Sequence, residues 1–218
     1  MKPSRSPYDA VKRIADVTFS SVLLVVLSPL LLVIALLVRA RLGSPVLFTQ
    51  LRPGMGGRLF RIRKFRSMLP APAHTGSAAA VATDARRLTR FGHFLRASSL
   101  DELPELFNVL VGDMSIVGPR PLLPEYLARY NDVQARRHEV RPGITGWAQV
   151  NGRNTVSWDD RLAMDVFYVD HRSLALDLRV LGMTVGTVLG RSGVSADGHT
   201  TMEPFDPRGE DGSHKEDS

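Results

Sequence analysis

The chain of 218 residues contains no cysteine. That excludes disulfides and cysteine-ligated metals and leaves the redox compartment open. The six histidines, at positions 74, 93, 138, 171, 199 and 214, have no ligand-like spacing, so a zinc site is not expected. Aromatic residues are only 7% of the chain and no nucleic-acid-binding motif is visible, so a nucleic-acid partner is not expected. A phosphate-cradling loop of the GxxxxGKS/T kind is also missing, which weakens a kinase-like reading. No acidic residue occurs between Asp16 and Asp84, and residues 17–38 carry no charge of either sign.

What is present is positive charge, unevenly spread. The formal net charge is +6, but Ser192 to Ser218 hold seven acids against two bases, a local charge of −5. The preceding residues therefore carry +11. A basic body of this kind needs a polyanionic partner: nucleic acid, a phosphorylated substrate or an anionic membrane surface. A basic binding protein anchored by an apolar segment competes here with an enzyme acting on phosphates.

The uncharged stretch VTFSSVLLVVLSPLLLVIALLV reaches the roughly 20 residues needed to cross a bilayer. No small-x-small cleavage site follows it, which argues against a cleaved signal. Lys2, Arg5, Lys12 and Arg13 precede it, and Arg39, Arg41, Arg52 and Arg58 follow. Basic flanks belong on the cytoplasmic side, so a straight span would put one cluster on the wrong face. Pro29 removes a backbone donor in mid-run, and the Ser28 hydroxyl can satisfy a carbonyl freed by a bend. A helix that enters, breaks at Ser28-Pro29 and leaves on the same face fits better than a kinked span. The expected organisation is a basic lead over 1–13, a re-entrant membrane helix over 14–41, a catalytic domain on the cytoplasmic face over 42–191, and an acidic disordered tail over 192–218.

Residues 45–68 predict two short strands around Pro-Gly-Met-Gly-Gly, with Phe60 and Ile62 alternating with Arg61 and Arg63. Residues 70–83 are a small-residue loop. Helices are expected over 85–97, 99–111, 123–139, 158–171 and 174–190, with a loop or short strand over 141–154. The last helix fits a core position and a membrane surface equally well.

The stretch SSLDELPELFNVLVGDMSIVGPRP (98–121) is the most informative. Ser99-x-x-Glu102 matches a capping box, and acids favour a helix N-terminus. Yet adjacent carboxylates raise one another's pKa unless a cation intervenes, and one or two carboxylates with substrate phosphates suit Mg2+. Arg96 lies five residues before Asp101, about 140° away on a continuous helix, but a break at Ser98-Ser99 can turn it back. Arg120 is presented between Pro119 and Pro121, on a stiff turn suited to bidentate phosphate binding. Such a set allows an aspartate to attack phosphorus while cations offset the charge on the phosphoryl oxygens.

The motifs DVTFSSVLLVVLSPLLL (16–32), KFRSM (64–68), LTRFGHFLRASSLDELPELFNVLVGDMSIVGPRP (88–121) and RPGITGWAQVNGRN (141–154) together resemble the small monotopic phosphoglycosyl transferases, a bacterial sugar transferase family. The resemblance covers about residues 8 to 190. It implies an α+β, mostly helical monotopic membrane fold, with a re-entrant helix broken at Ser28 and Pro29, a small β-hairpin and interfacial amphipathic helices. It implies transfer of a sugar 1-phosphate from a UDP-sugar to polyprenyl (undecaprenyl) phosphate through an aspartyl intermediate, with release of UMP. This is the first membrane step of exopolysaccharide, capsule, O-antigen or glycoprotein glycan synthesis. Asp101 matches the nucleophile and Glu102 the second acid of the pair, a general base or a metal-site partner, and the two would hold the Mg2+ cofactor. Arg96 matches a lipid-phosphate-binding arginine. Lys64, Pro119, Arg120, Pro121 and Arg153 fall in motifs associated with the nucleotide sugar. The implied location is the cytoplasmic face of the inner membrane, with a homodimer and downstream glycosyltransferases as further partners. The chain departs from the pattern in its Ala/Pro-rich loop and acidic tail, and it lacks the extra transmembrane helices of larger relatives, so the minimal form is expected.

Overall fold

The computed structural model describes residues 6–69, 87–152, 156–189 and 205. The apolar stretch folds as two helices, α1 (Tyr8–Val26) and α2 (Ser28–Leu42), bent by 64° across Leu27. Pro29 falls in the first turn of α2, where its missing N–H costs no hydrogen bond. The Ser28 hydroxyl donates to the Val25 carbonyl at 2.8 Å, on the other side of the break. Among the described residues no single helix is long and apolar enough to cross a membrane, and the bent pair passes that test only together.

Strands β1 (Leu47–Pro53) and β2 (Leu59–Phe65) form the expected antiparallel hairpin, with Leu47 opposite Phe65 and Pro53 opposite Leu59. Phe60 and Ile62 are buried while Arg61 is exposed, as the two-residue period requires. The same period puts Lys64 on the buried face. Next comes α3 (Arg90–Ala97), capped by Thr89, whose hydroxyl accepts the Gly92 amide at 3.0 Å. A Cβ on Gly92 would lie 1.8 Å from the Ser67 carbonyl, so only glycine lets α3 lie against the chain leaving β2.

The helix expected over 99–111 is interrupted. Ser99 is left-handed (φ 54°), Leu100–Glu102 form a single 3-10 turn, and α4 (Glu105–Val111) starts after Pro104. Gly112, with φ 98°, ends α4 by taking the left-handed conformation. Strand β3 (Ser115–Val117) pairs in parallel with β4 (Gly143–Thr145), so residues 141–154 do contain the short strand expected there. Residues 123–139 are not one helix. They form a 3-10 turn at Pro124–Tyr126, α5 (Asp132–Ala135) and a second 3-10 turn at Arg136–Glu139. Asn131 explains the break: it forms a capping box with Gln134 and so starts a new helix in mid-stretch. Helices α6 (Trp147–Asn151), α7 (Trp158–His171) and α8 (Leu174–Leu189) complete the order.

The main core joins the inner face of the hairpin to α4, β3, α7 and α8 through Phe60, Ile62, Leu106, Val109, Tyr168 and Val180. Both arms of the bent pair dock onto this body. Arg13 of α1 donates to the Val109 and Leu110 carbonyls at 2.6 and 2.9 Å, at the negative end of α4. Asp16 accepts the Ile116 amide at 3.0 Å, and Lys12 pairs with Asp177 of α8. Ile34, Val38 and Leu42 of α2 pack on Phe65 and Leu95. Helix α8 is two-faced, with Asp177 and Val180 buried and Leu174, Leu178 and Val185 exposed. Arg153, the loop 70–83 and the tail from 192, Phe205 excepted, lie outside the described residues.

Candidate active site

The 3-10 turn at Leu100–Glu102 places two acids in different surroundings, and neither caps a helix. Ser99 makes no side-chain capping bond. Asp101 is 7% exposed, and among the described residues no donor hydrogen-bonds its carboxylate. Burial and the neighbouring Glu102 charge push its pKa up to about 6, against the pull of Lys64, Arg96 and Arg120. At neutral pH it is therefore mostly ionised and free of ties, the condition a nucleophile needs.

Glu102 is the reverse case. One oxygen, Oε1, accepts from Lys64 Nζ at 2.6 Å and from Arg120 at 2.5 Å. Burial alone would raise its pKa, but the two cations outweigh burial and hold it down to about 2. A carboxylate that acidic is a poor base. Through that oxygen it holds Lys64 and Arg120 together on the turn that carries Asp101. The Arg120 side chain remains 38% exposed, so its outer edge can still meet an anion from solution.

Each partner is delivered by a separate element. Lys64 comes from the buried face of β2, and Asn108 fixes how β2 meets α4. Its amide donates to the Arg61 carbonyl at 2.8 Å and its carbonyl oxygen accepts the Arg63 amide at 3.1 Å. Arg120 follows the β3–β4 pairing, which continues through Gly118 donating to the Thr145 carbonyl at 2.9 Å. Pro119 and Pro121 join Pro53 and Pro142 in the wall behind it. Buried Arg137 donates to the Arg120 carbonyl at 2.6 Å and is itself paired with Asp165 at 2.7 Å. Arg96 favours ionisation of Asp101, while its own hydrogen bond goes to Ser67 Oγ at 2.9 Å. Ser28 and Pro29 are at the helix bend, apart from this cluster.

Sequence reasoning missed four residues: Glu105, Asn108, Arg137 and Asp165. Glu105 is 1% exposed, with Oε1 only 3.1 Å from Lys64 Nζ but not at a hydrogen-bonding angle. Burial and the Glu102 charge push its pKa up to about 7. A glutamate three residues after Glu102, inside an apolar helical run, was the available signal. Among the described residues no group of three or more ligating side chains is placed to hold a metal. A Mg2+ ion shared with substrate phosphates needs only one or two carboxylates, and the hard oxygens of Asp101 and Glu102 fit that requirement.

The model of the family described as "Bacterial sugar transferase" matches residues 7–191. The chain is 48% identical over 200 residues to "Uncharacterized sugar transferase EpsL" of Bacillus subtilis (strain 168), covering 92% of this chain and 98% of that one. It is 43% identical over 188 residues to the "UDP-glucose:undecaprenyl-phosphate glucose-1-phosphate transferase" of Xanthomonas campestris pv. campestris, covering 83% of this chain and 39% of that one. A third relative, the "UDP-N-acetylgalactosamine-undecaprenyl-phosphate N-acetylgalactosaminephosphotransferase" of Aeromonas hydrophila, is 39% identical over 188 residues, which is 84% of this chain and 44% of the relative. The chain thus spans nearly all of the Bacillus protein but less than half of the other two. With the model covering all of the hairpin, the carboxylate turn and helices α1 to α8, the chain belongs to the bacterial sugar transferase family.

Proposed function

We propose that the chain moves a sugar 1-phosphate from a UDP-sugar to undecaprenyl phosphate at the cytoplasmic face of a membrane. The carrying observation is the Asp101 carboxylate, buried, ionisable near neutrality and without a hydrogen bond from the described residues, beside three cations. The substrate classes come from the names of the relatives, which differ in their sugar, so the sugar itself is left open.

In the first step an Asp101 oxygen attacks the phosphorus that bears the sugar. A new O–P bond forms, the P–O bond to UMP breaks, and UMP leaves with that electron pair. Arg120 and Lys64, gathered by Glu102, face the negative charge building on the phosphoryl oxygens. Arg153 contributes to nucleotide-sugar binding and Arg96 to holding the lipid phosphate. In the second step an ionised oxygen of the lipid phosphate attacks the same phosphorus. The Asp101–phosphorus bond breaks, the carboxylate returns, and a polyprenyl diphosphate sugar departs. Mg2+ held by Asp101 and Glu102 would neutralise further charge on the diphosphate. Because Glu102 is so acidic, we assign it to organising cations rather than to taking a proton.

The membrane reading rests on the bent helix pair. Val22, Val25, Val26, Leu30, Leu32, Val33, Leu36 and Leu37 around the bend are exposed, while both arms dock on one body. A bend buried in lipid with both ends on one face accounts for both facts. The exposed face of α8 would lie at the membrane surface. The test is a panel of UDP-sugars given to membranes carrying the protein, with divalent cation and undecaprenyl phosphate. UMP release with at least one sugar, lost on chelation, is expected. Release with none would overturn the reading.

A further inference from the structure

Phe205 is 2% exposed, although it lies beyond the end of the family match at residue 191. Its ring sits in a socket of aromatic side chains, with centroids 5.6 Å from Tyr126, 5.8 Å from Tyr130 and 5.4 Å from Trp158. Leu122, Leu123 and Leu162 complete the socket. The backbone of Phe205 is held as well. Its amide donates to the Tyr126 hydroxyl at 3.1 Å, and its carbonyl accepts from Arg129 at 2.6 Å. Side chain, N–H and C=O of one residue are therefore all bound by side chains of the folded body, as in a peptide-recognition site.

The rim of the socket is basic: Arg129 lies over the Tyr126 ring at 5.7 Å and Arg161 over Trp158 at 5.6 Å. In the sequence, Glu203 and Asp206 flank Phe205, so the charges of segment and rim are complementary. The socket also touches the parts that present Arg120. Leu122 and Leu123 follow the Gly118–Pro121 turn directly. Arg137 donates to the Tyr130 hydroxyl at 3.4 Å and to the Arg120 carbonyl at 2.6 Å.

We propose that Tyr126, Tyr130, Trp158 and Arg129 form a binding site for an aromatic residue in an acidic segment, filled in cis by Phe205, and that this docking braces the Arg120 turn. Phe205 is a positioning residue and touches no substrate. The bracing half rests on the transferase reading above, whereas the binding half does not.

The experiment uses the full chain carrying Phe205→Ala and a free peptide of sequence TTMEPFDPRGE (residues 200–210). Of the two tryptophans only Trp158 is in the socket, so its fluorescence reports occupancy. The peptide should change that fluorescence saturably in the variant and much less in the wild type, and a peptide with alanine for phenylalanine should do neither. No response in the variant, or an equal response in both proteins, would overturn the socket. Hydrogen exchange on the wild type gives a check that does not depend on the variant folding: the Phe205 amide should exchange slowly, and exchange at the rate of a free peptide would also overturn it. For the brace, Phe205→Ala should raise KM for the UDP-sugar about 5- to 30-fold with kcat little changed, and the free peptide should restore it. An unchanged KM in a variant that still binds the peptide overturns the brace alone. If the wild type releases no UMP, the transferase reading fails while the fluorescence titration still decides the socket.

Discussion

Glu102 and Glu105 share one lysine and are displaced in opposite directions. Lys64 Nζ is 2.6 Å from Glu102 and 3.1 Å from Glu105, but only Glu102 also receives Arg120. Glu105, with pKa raised to about 7, is penalised for carrying charge in the fold. That penalty is full above about 7 and vanishes below the ordinary value of 4.5. Glu102, lowered to about 2, contributes stability above 4.5 that is lost as the pH falls toward 2. Glu105→Gln, which keeps the shape and removes the charge, should therefore melt higher than wild type at pH 8, by roughly 5 °C. The gap should close toward pH 5. Glu102→Gln should melt lower than wild type at pH 8. Thermal melts of both at the two pH values check this, and a Glu105→Gln protein less stable than wild type at pH 8 would contradict it. The dyad was visible in the sequence as two adjacent acids, and so was Arg120 between its prolines. The identity of their partners was not, because Lys64 arrives from a strand 38 residues earlier in the chain. That meeting depends on β2 packing against α4, through the shared core of Phe60, Ile62, Leu106 and Val109 and the two Asn108 hydrogen bonds.

The elements marked by strand alternation or by a proline break were legible, whereas two interruptions of apparently continuous helices were not: one is set by tertiary demand and the other by a local cap that the apolar spacing masked. The hairpin follows from alternation around Pro-Gly-Met-Gly-Gly, and the bend at Leu27 follows from Ser28-Pro29 within an uncharged run. The helices expected over 99–111 and 123–139 had suitable apolar spacing. The first breaks because Ser99 turns left-handed and Asp101 is carried into the site, and the second because Asn131 caps a new start. The capping box thus exists, at Asn131–Gln134 rather than Ser99–Glu102. The bend makes a prediction at this scale. Replacing Ser28 with Leu and Pro29 with Ala restores a backbone donor and removes the hydroxyl that satisfies Val25, so the pair should straighten. Single cysteines near residues 2 and 43 should both resist an impermeant thiol reagent in intact cells. In the double variant, one of them should become labelled. Labelling at one end in the parent protein would contradict a re-entrant arrangement.

At the scale of the whole molecule, the positive charge and the exposed apolar bend have one explanation in the proposed membrane arrangement. The body preceding the tail carries +11, and an apolar bend projects from it between two docked arms. A basic protein at a membrane surface is placed to gather a phosphorylated lipid and a nucleotide sugar. The charge distribution and the bent apolar pair were both legible in the sequence. The burial of Phe205 was not, because a lone aromatic in an acidic stretch has no periodicity to place it. The account as a whole stands on Asp101 forming a bond to phosphorus. The most direct measurement is mass spectrometry of the protein given a UDP-sugar and Mg2+ without lipid acceptor. The peptide containing Asp101 should gain the mass of one sugar phosphate, with stoichiometric UMP release, and Asp101→Asn should show neither. A fully active Asp101→Asn protein, or turnover that leaves the Asp101 peptide unmodified while the adduct appears on another residue, would contradict the account.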